Sequence, residues 1–364
     1  MRRLLLAAAL GLAFVRPAAA SPYAGEFLAT GIGARPLGMG GAFTALVDDA
    51  TASYWNPAAL PRNAGRGIVY MHSETFGDLV NQDSGALVLR TRESADGTRS
   101  AVGLSLVMVS VPEIFFTTTD RGELQDIERK INPADEYPTN PTWGNGRLDP
   151  DERIDFDALH LYAEEVVDRE IGVLLSYGRS RCFADDLSLG GSVKFVRKSV
   201  GDYSAWGLGL DLAALWQVRE GWAWGLSLQD ATTTFLDWRN TPTEPREYIT
   251  PTAKIGTAYT VPVRAVSGAV TGAMDLQLRF EDETGYSFNA GSLPGDVRAG
   301  IEYWYRDALA LRVGSEGLGR SDDPYTAGAG IRIRRLGVAF SFDYAYRSHA
   351  DLDDVHRISG GVRF

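Results

Sequence analysis

From Gly67 to the C-terminus the chain repeats one pattern: roughly ten residues in which apolar side chains alternate with small or polar ones, then a turn. The clearest case is Gly337 to Tyr346. There Val338, Phe340, Phe342, Tyr344 and Tyr346 fall on one face, and Gly337, Ala339, Ser341, Asp343 and Ala345 on the other. A period of two is the signature of a strand. The same split separates Val297, Ala299, Ile301 and Tyr303 from Asp296, Arg298, Gly300 and Glu302, and Trp206, Leu208, Leu210 and Leu212 from Gly207, Gly209 and Asp211. Charge on the second face means that this face is not a dry core. The pattern predicts fourteen strands, near 67–73, 84–91, 98–109, 168–178, 187–198, 203–217, 222–229, 250–260, 267–280, 296–305, 308–315, 325–334, 337–347 and 354–364.

A soluble β-sandwich would alternate in the same way. Three features favour an all-β transmembrane antiparallel barrel. Connections of about ten, fifty-eight, twenty, fifteen and nine residues follow odd-numbered strands, whereas short ones follow even-numbered strands, with the short link near Ser199 as the exception. Outer-membrane barrels place long loops outside the cell and short turns in the periplasm. Aromatic residues gather at strand ends (Trp216, Trp222, Trp224, Trp304, Tyr303, Tyr305, Tyr344, Tyr346), as interfacial girdles require. Finally, the chain ends in Val362-Arg363-Phe364, and a terminal Phe364 resembles the signal read by the barrel-assembly machinery.

The first twenty residues stand apart. Arg2 and Arg3, the apolar stretch Leu4 to Val15 and the small run Ala18-Ala19-Ala20 before Ser21 read as a cleaved signal peptide, residues 1–20. Export and the strand pattern together predict the outer membrane of a Gram-negative-type cell, with its lipid as one partner. The formal net charge of −11 includes Arg2, Arg3 and Arg16, so the mature chain is more acidic still, which argues against a nucleic-acid partner. Cys182 is the single cysteine, so no disulfide is expected. The four histidines are scattered, without a His-Glu-x-x-His pair, and there is no Gly-x-Ser-x-Gly elbow; catalysis is not expected.

Residues 29–60 read differently: a Gly31-Ile32-Gly33 stretch leads into Ala34-Arg35-Pro36-Leu37-Gly38-Met39-Gly40-Gly41-Ala42-Phe43, then Asp48-Asp49, then Tyr54-Trp55-Asn56-Pro57-Ala58. A dinucleotide fingerprint is excluded, since Pro36 stands at the third glycine position and no βαβ unit surrounds it. The run, the acidic pair and the Asn-Pro-Ala turn resemble, in order and spacing, the N-terminus of the PorV/PorQ family of outer-membrane proteins, relatives of the FadL-type hydrophobic-compound transporters. Met71-His72-Ser73-Glu74, Glu302-Tyr303-Trp304-Tyr305 and Val355-His356-Arg357-Ile358-Ser359 extend the likeness. The resemblance implies a barrel of about 14 strands (67–364), a lumenal plug formed by residues 21–66, and a place near a lumenal ligand pocket for Asn56, Pro57 and Ala58. Residue chemistry adds that Pro57 fixes its own φ, biases Asn56 to an extended conformation and lets Asn56 cap a short helix.

Two functions follow from this resemblance. One is a scaffold or shuttle of protein secretion, partnered by a secretion translocon and secreted cargo as in type IX secretion. The other is a FadL-like channel for hydrophobic solutes. The polar inward faces favour the scaffold, because a transporter of apolar molecules calls for an apolar pocket. One further feature lies in the insertion 112–166, expected to be extracellular. Asn145, Arg147, Asp149 and Glu152 match positions five, seven, nine and twelve of an EF-hand loop, a half-complete calcium site whose first positions fall on Pro141 and Trp143.

Overall fold

A computed structural model describes residues 25–63, 65–77, 79–116, 164–241, 245–280, 287–290, 293–320, 324–349 and 353–364. The segment expected to be a signal peptide and the expected half EF-hand, Asn145, Arg147, Asp149 and Glu152, lie outside the described residues. Residues 111–168 form a compact unit of their own, of which the strand ends 111–116 and 164–168 are described.

The strands are β1 (Gly67–Thr75), β2 (Val80–Glu93), β3 (Arg99–Phe116), β4 (Glu164–Arg179), β5 (Leu187–Val200), β6 (Tyr203–Arg219), β7 (Trp222–Gln229), β8 (Thr234–Arg239), β9 (Arg246–Ile249), β10 (Thr252–Val263), β11 (Gly268–Arg279), β12 (Phe288–Ala290), β13 (Leu293–Tyr305), β14 (Leu309–Ser315), β15 (Tyr325–Arg335), β16 (Val338–Arg347) and β17 (Val355–Arg363). They form one antiparallel sheet in which β1 pairs with both β2 and β17, so the sheet closes on itself. β7 and β8 run end to end along β6, β9 leads into β10, and the short β12 extends the β11 side of β13. Counted around the wall, the closed barrel has fourteen strands. Closure matters because it leaves no edge strand whose N–H and C=O groups would need water, as a lipid surround demands.

The alternation sorts as the sequence predicts. Leu106, Leu175, Leu210, Ile255, Met274, Val313 and Phe342 are exposed on the outer face, whereas Lys194, Asp211, Asp275, Glu302 and Arg312 are buried on the inner one. Two expectations are corrected. The ten-residue first connection is in fact residues 76–79, because Asn81, Gln82 and Asp83 keep pairing with Glu74, Ser73 and His72. Strands that extend past the lipid into water carry polar residues on both faces, so alternation underestimates their length. Trp304 is no girdle residue: it shares the inward face of β13 with Glu302 and lies beneath Arg332, 4.2 Å from the guanidinium carbon to the ring centre.

Residues 25–63 run through the lumen as short helices α1 (Glu26–Ala29), α2 (Ala34–Leu37) and α3 (Ala52–Trp55) and a 3-10 helix, Pro57–Arg62. Phe27, Ile32, Phe43, Trp55 and Leu60 of this segment pack against Met71, Val88, Leu174, Leu215 and Leu236 of the wall, forming one apolar core. At the closing seam, Phe364 and Arg66 exchange two backbone hydrogen bonds of 2.9 Å. The Phe364 ring itself is 56% exposed, so it contributes little packing. Read as an assembly signal, its deletion is expected to lower outer-membrane abundance and raise periplasmic protease sensitivity while leaving the melting of assembled protein nearly unchanged. Unaltered surface levels, measured by membrane fractionation, would refute that role.

Candidate functional site

Two structures inside the wall set the chemistry of the lumen: the anchoring of the plug, and an interruption of the wall beside it. The anchor centres on Glu302. Arg35, from α2, grips it with both arms of its guanidinium, Nε to Oε2 at 2.8 Å and Nη2 to Oε1 at 2.9 Å. Arg312 of β14 donates to Oε2 at 2.7 Å and to Asp343 Oδ1 at 2.7 Å. Asp48 accepts from Arg35 Nη1 at 2.5 Å, and the Arg35 guanidinium lies over the Phe43 ring at 5.2 Å. Burial works against the charge on Arg35, but Asp48 and Glu302 outweigh it and hold the guanidinium well above its ordinary pKa. A second carboxylate does similar work: Asp275 of β11 accepts from the backbone N–H groups of Phe43 and Thr44 at 3.1 and 2.9 Å and from the Thr44 hydroxyl at 2.6 Å. Inward-facing charge thus serves to seat the plug.

Asn56, Pro57 and Ala58 are fully buried. Asn56 is extended (φ −161°, ψ 97°), its Oδ1 accepts from Ala58 N at 3.0 Å, and its Nδ2 donates to Thr44 O at 2.8 Å and Ala214 O at 3.3 Å. The wall comes so close here that only glycine fits. A Cβ on Gly178 would lie 2.3 Å from Pro57 O, and one on Gly190 2.4 Å from Ala58 N. The turn therefore meets backbone, and none of the cavities described below is lined by it. Burial pushes the nearby Tyr54 phenol up to about 12, and its hydroxyl donates to Leu28 O.

The interruption lies between β7 and β8. Leu212 faces Leu228 and Leu208 faces Phe235, so four steps along β6 are matched by seven on its neighbour. Three residues are surplus. Asp230 and Thr233 take up the slack with positive φ (53° and 59°), and the chain bends inward: a Cβ on Gly209 would lie 1.8 Å from Thr234 Oγ1, and one on Gly207 2.0 Å from Phe235 O. Across Gly209 to Asp211 the ladder is reduced to isolated contacts, Ala231 N to Leu210 O at 2.8 Å and Asp230 N to the Asp211 carboxylate at 2.8 Å. Lys194 braces the bend, its Nζ 2.8 Å from Asp230 Oδ1 and 3.1 Å from Asp211 Oδ1. On the other side β9 and β10 are broken at residues 250–251. A cavity of about 50 Å³ fills the gap, lined by Leu28, Ala29 and Tyr54 of the plug and by Leu174, Asp230, Ile249 and Lys254 of the wall. The break sits midway along β6, at the depth where Leu208, Leu210 and Leu212 face lipid.

Among solved structures, the chain is similar to the CymD monoaromatic hydrocarbon channel, at 13% identity over 91% of this chain and 96% of that one, with a TM-score of 0.52. The Pseudomonas putida toluene transporter TodX follows at 13% identity, 91% and 97% coverage and a TM-score of 0.49, and a Pseudomonas aeruginosa FadL homologue at 13%, 89% and 95% coverage and 0.48. The protein is an outer-membrane β-barrel. No protein-family model matches the chain, and no curated protein matches it either. The shared feature is the fold, and the PorV/PorQ likeness rests on the motifs alone.

The residues of the interruption escaped the sequence reading, which takes 230–249 as one twenty-residue loop. The sequence carries no phase slip to mark it: after Trp222, Trp224, Leu226 and Leu228, the apolar residues Leu236 and Trp238 again fall at even positions, although in β8 these face inward.

Proposed function

We propose that this barrel is a channel for small hydrophobic molecules, which pass sideways between the lumen and the lipid through the interruption between β7 and β8. The observation that carries the reading is the interruption itself. Backbone released from its ladder at membrane depth is tolerated only where it is buried in protein or lines a cavity. Here it lines one, next to the N-terminal end of the plug, while the plug core occupies the lumen. The fold shared with a monoaromatic hydrocarbon channel supports the same reading. The polarity of the lumen, which in sequence spoke for a scaffold, does not weigh against it, because Asp275, Glu302 and Arg312 are engaged in seating the plug. The Arg35 and Asn56 motifs are absorbed in the same task and favour neither function.

Deleting residues 230–232 removes three surplus residues and joins Gln229 to Thr233 in one continuous strand, with the uncharged Thr233 opposite Leu210, Leu236 still on the inward face and Lys194 still paired with Asp211. Cells carrying this variant are expected to take up labelled toluene and a labelled long-chain fatty acid no faster than cells without the protein, at unchanged levels of heat-modifiable barrel. Uptake equal to wild type would remove the lateral path. Wild-type cells that exceed protein-free cells with neither probe would remove the channel.

A further inference from the structure

On the far side of the plug lies a second, larger cavity of about 320 Å³, near the lower end of the range of about 300–1,000 Å³ typical of ligand pockets. Its walls come from α1 and the residues after it, from the outward ends of β1 and β2, from β13 and from the start of β17. Its charge is lopsided: Arg279, Arg298, Arg320, Arg347 and Arg357 face Glu26, Asp296 and Glu316. Three of the arginines are matched to those three acids, Arg279 to Glu26 at 3.2 Å, Arg320 to Asp296 at 3.7 Å and Arg347 to Glu316 at 2.8 Å. Two remain. Arg357 is only 6% exposed, and its Nε and Nη1 have no hydrogen-bond partner; Arg298 Nε is buried and unpartnered as well. No carboxylate among the described residues comes within ion-pair distance of either guanidinium.

A guanidinium cannot shed its proton, so burial without a counter-charge is a cost the fold sustains for some return. The two unmatched charges border one water-accessible space and present forked N–H donors, the geometry that carboxylate and phosphate oxygens fill bidentately. We propose that this cavity binds a small hydrophilic dianion through carboxylate or phosphate oxygens, held by Arg298 and Arg357. Thr30, Gln82, Ser348 and His349 add polar lining that suits such a solute, and the cavity adjoins the one beside the interruption across Glu26, Ala29 and Arg279. Because Thr30 and Gly31 belong to the plug and Arg298 and Arg357 to the wall, a bound anion touches both.

The test uses the full barrel in detergent, with inorganic phosphate and succinate as probes and sodium chloride at matched ionic strength as control. Saturable binding by calorimetry, with a rise in melting temperature beyond that in chloride, is expected for at least one probe. Phosphate alone would identify a phosphoryl ligand, and succinate a dicarboxylate. Arg357→Gln and Arg298→Gln are each expected to weaken that binding at least tenfold. Each removes an unmatched charge, buried at Arg357 and half-buried at Arg298, and is not expected to lower the stability of the ligand-free barrel. Arg334→Gln, at the exposed periplasmic rim, should bind as wild type does. The variant lacking 230–232 should also bind normally, which separates this site from the channel. A response no larger than that in chloride, or unchanged affinity in both Arg298→Gln and Arg357→Gln, would overturn the proposal.

Discussion

Glu302→Ala is expected to lower the free energy of unfolding by about 3–5 kcal/mol, the cost of leaving buried charge without its partner. Glu302 is 1% exposed and is shared by two guanidiniums, Arg35 from the plug and Arg312 from the wall, with side chains 9% and 0% exposed. Removing the carboxylate leaves Arg312 with Asp343 and Arg35 with Asp48 and Asp49, all at the margin of the same cluster. The effect should concentrate on the plug, since Arg35 is its principal ionic tie to β13. Urea titration followed by heat-modifiable mobility gives the stability, and limited trypsin digestion reports the plug through cleavage after Arg62, since the Arg35-Pro36 bond resists trypsin. Glu302→Gln keeps one acceptor oxygen and should lose less. Equal stability of the alanine variant and wild type would mean that the plug is held by its apolar core alone.

The second large effect concerns the lipid face. An arginine at the bilayer midplane of a barrel costs about 2–4 kcal/mol, falling to about 0–1 kcal/mol near the interface. Phe342 is 58% exposed, lies midway along β16 and pairs with Gly360 and Ile331. Phe340 is two positions nearer the turn at residues 336–337 and pairs with Val362, close to the chain end. Phe342→Arg should therefore destabilise the barrel by the midplane amount and Phe340→Arg by much less, with Leu210→Arg, halfway along β6, resembling the first. Folded fractions across a urea series would show the gradient. Equal losses at Phe340 and Phe342 would mean that β16 crosses the membrane at another depth.

Much of the wall was legible because one physical rule governs it. A residue facing lipid must be apolar and its neighbour need not be, so Phe340, Phe342 and Tyr344 declare their side without any knowledge of the fold. The rule fails where the surround changes. Asn81 to Asp83 continue β2 beyond the lipid and read as loop, and Trp304, aromatic at a strand end, reads as girdle although Arg332 covers it inside the lumen. The candidate sites were less legible. Asp275 and Glu302 carry no local mark of what they bind, because their partners in the plug lie more than two hundred residues away. The arginines of the outward cavity come from β11, β13, β16, β17 and the β14–β15 connection, and only closure of the barrel brings them together.

The plug makes its bonds to the far end of the sequence. Ala34 N donates to Ser359 Oγ at 3.2 Å across 325 residues, and Gly40 N to Thr326 Oγ1 at 3.0 Å. Contacts this distant in sequence raise the contact order to the level of slow folders, because the entropy of closing the chain is lost before the contact repays it. A segment synthesised first thus waits, with Phe27, Ile32, Phe43 and Trp55 uncovered, until β15 and β17 arrive. During export that makes residues 25–63 the stretch most in need of a holding chaperone, and the rate of barrel closure sets how long it is needed.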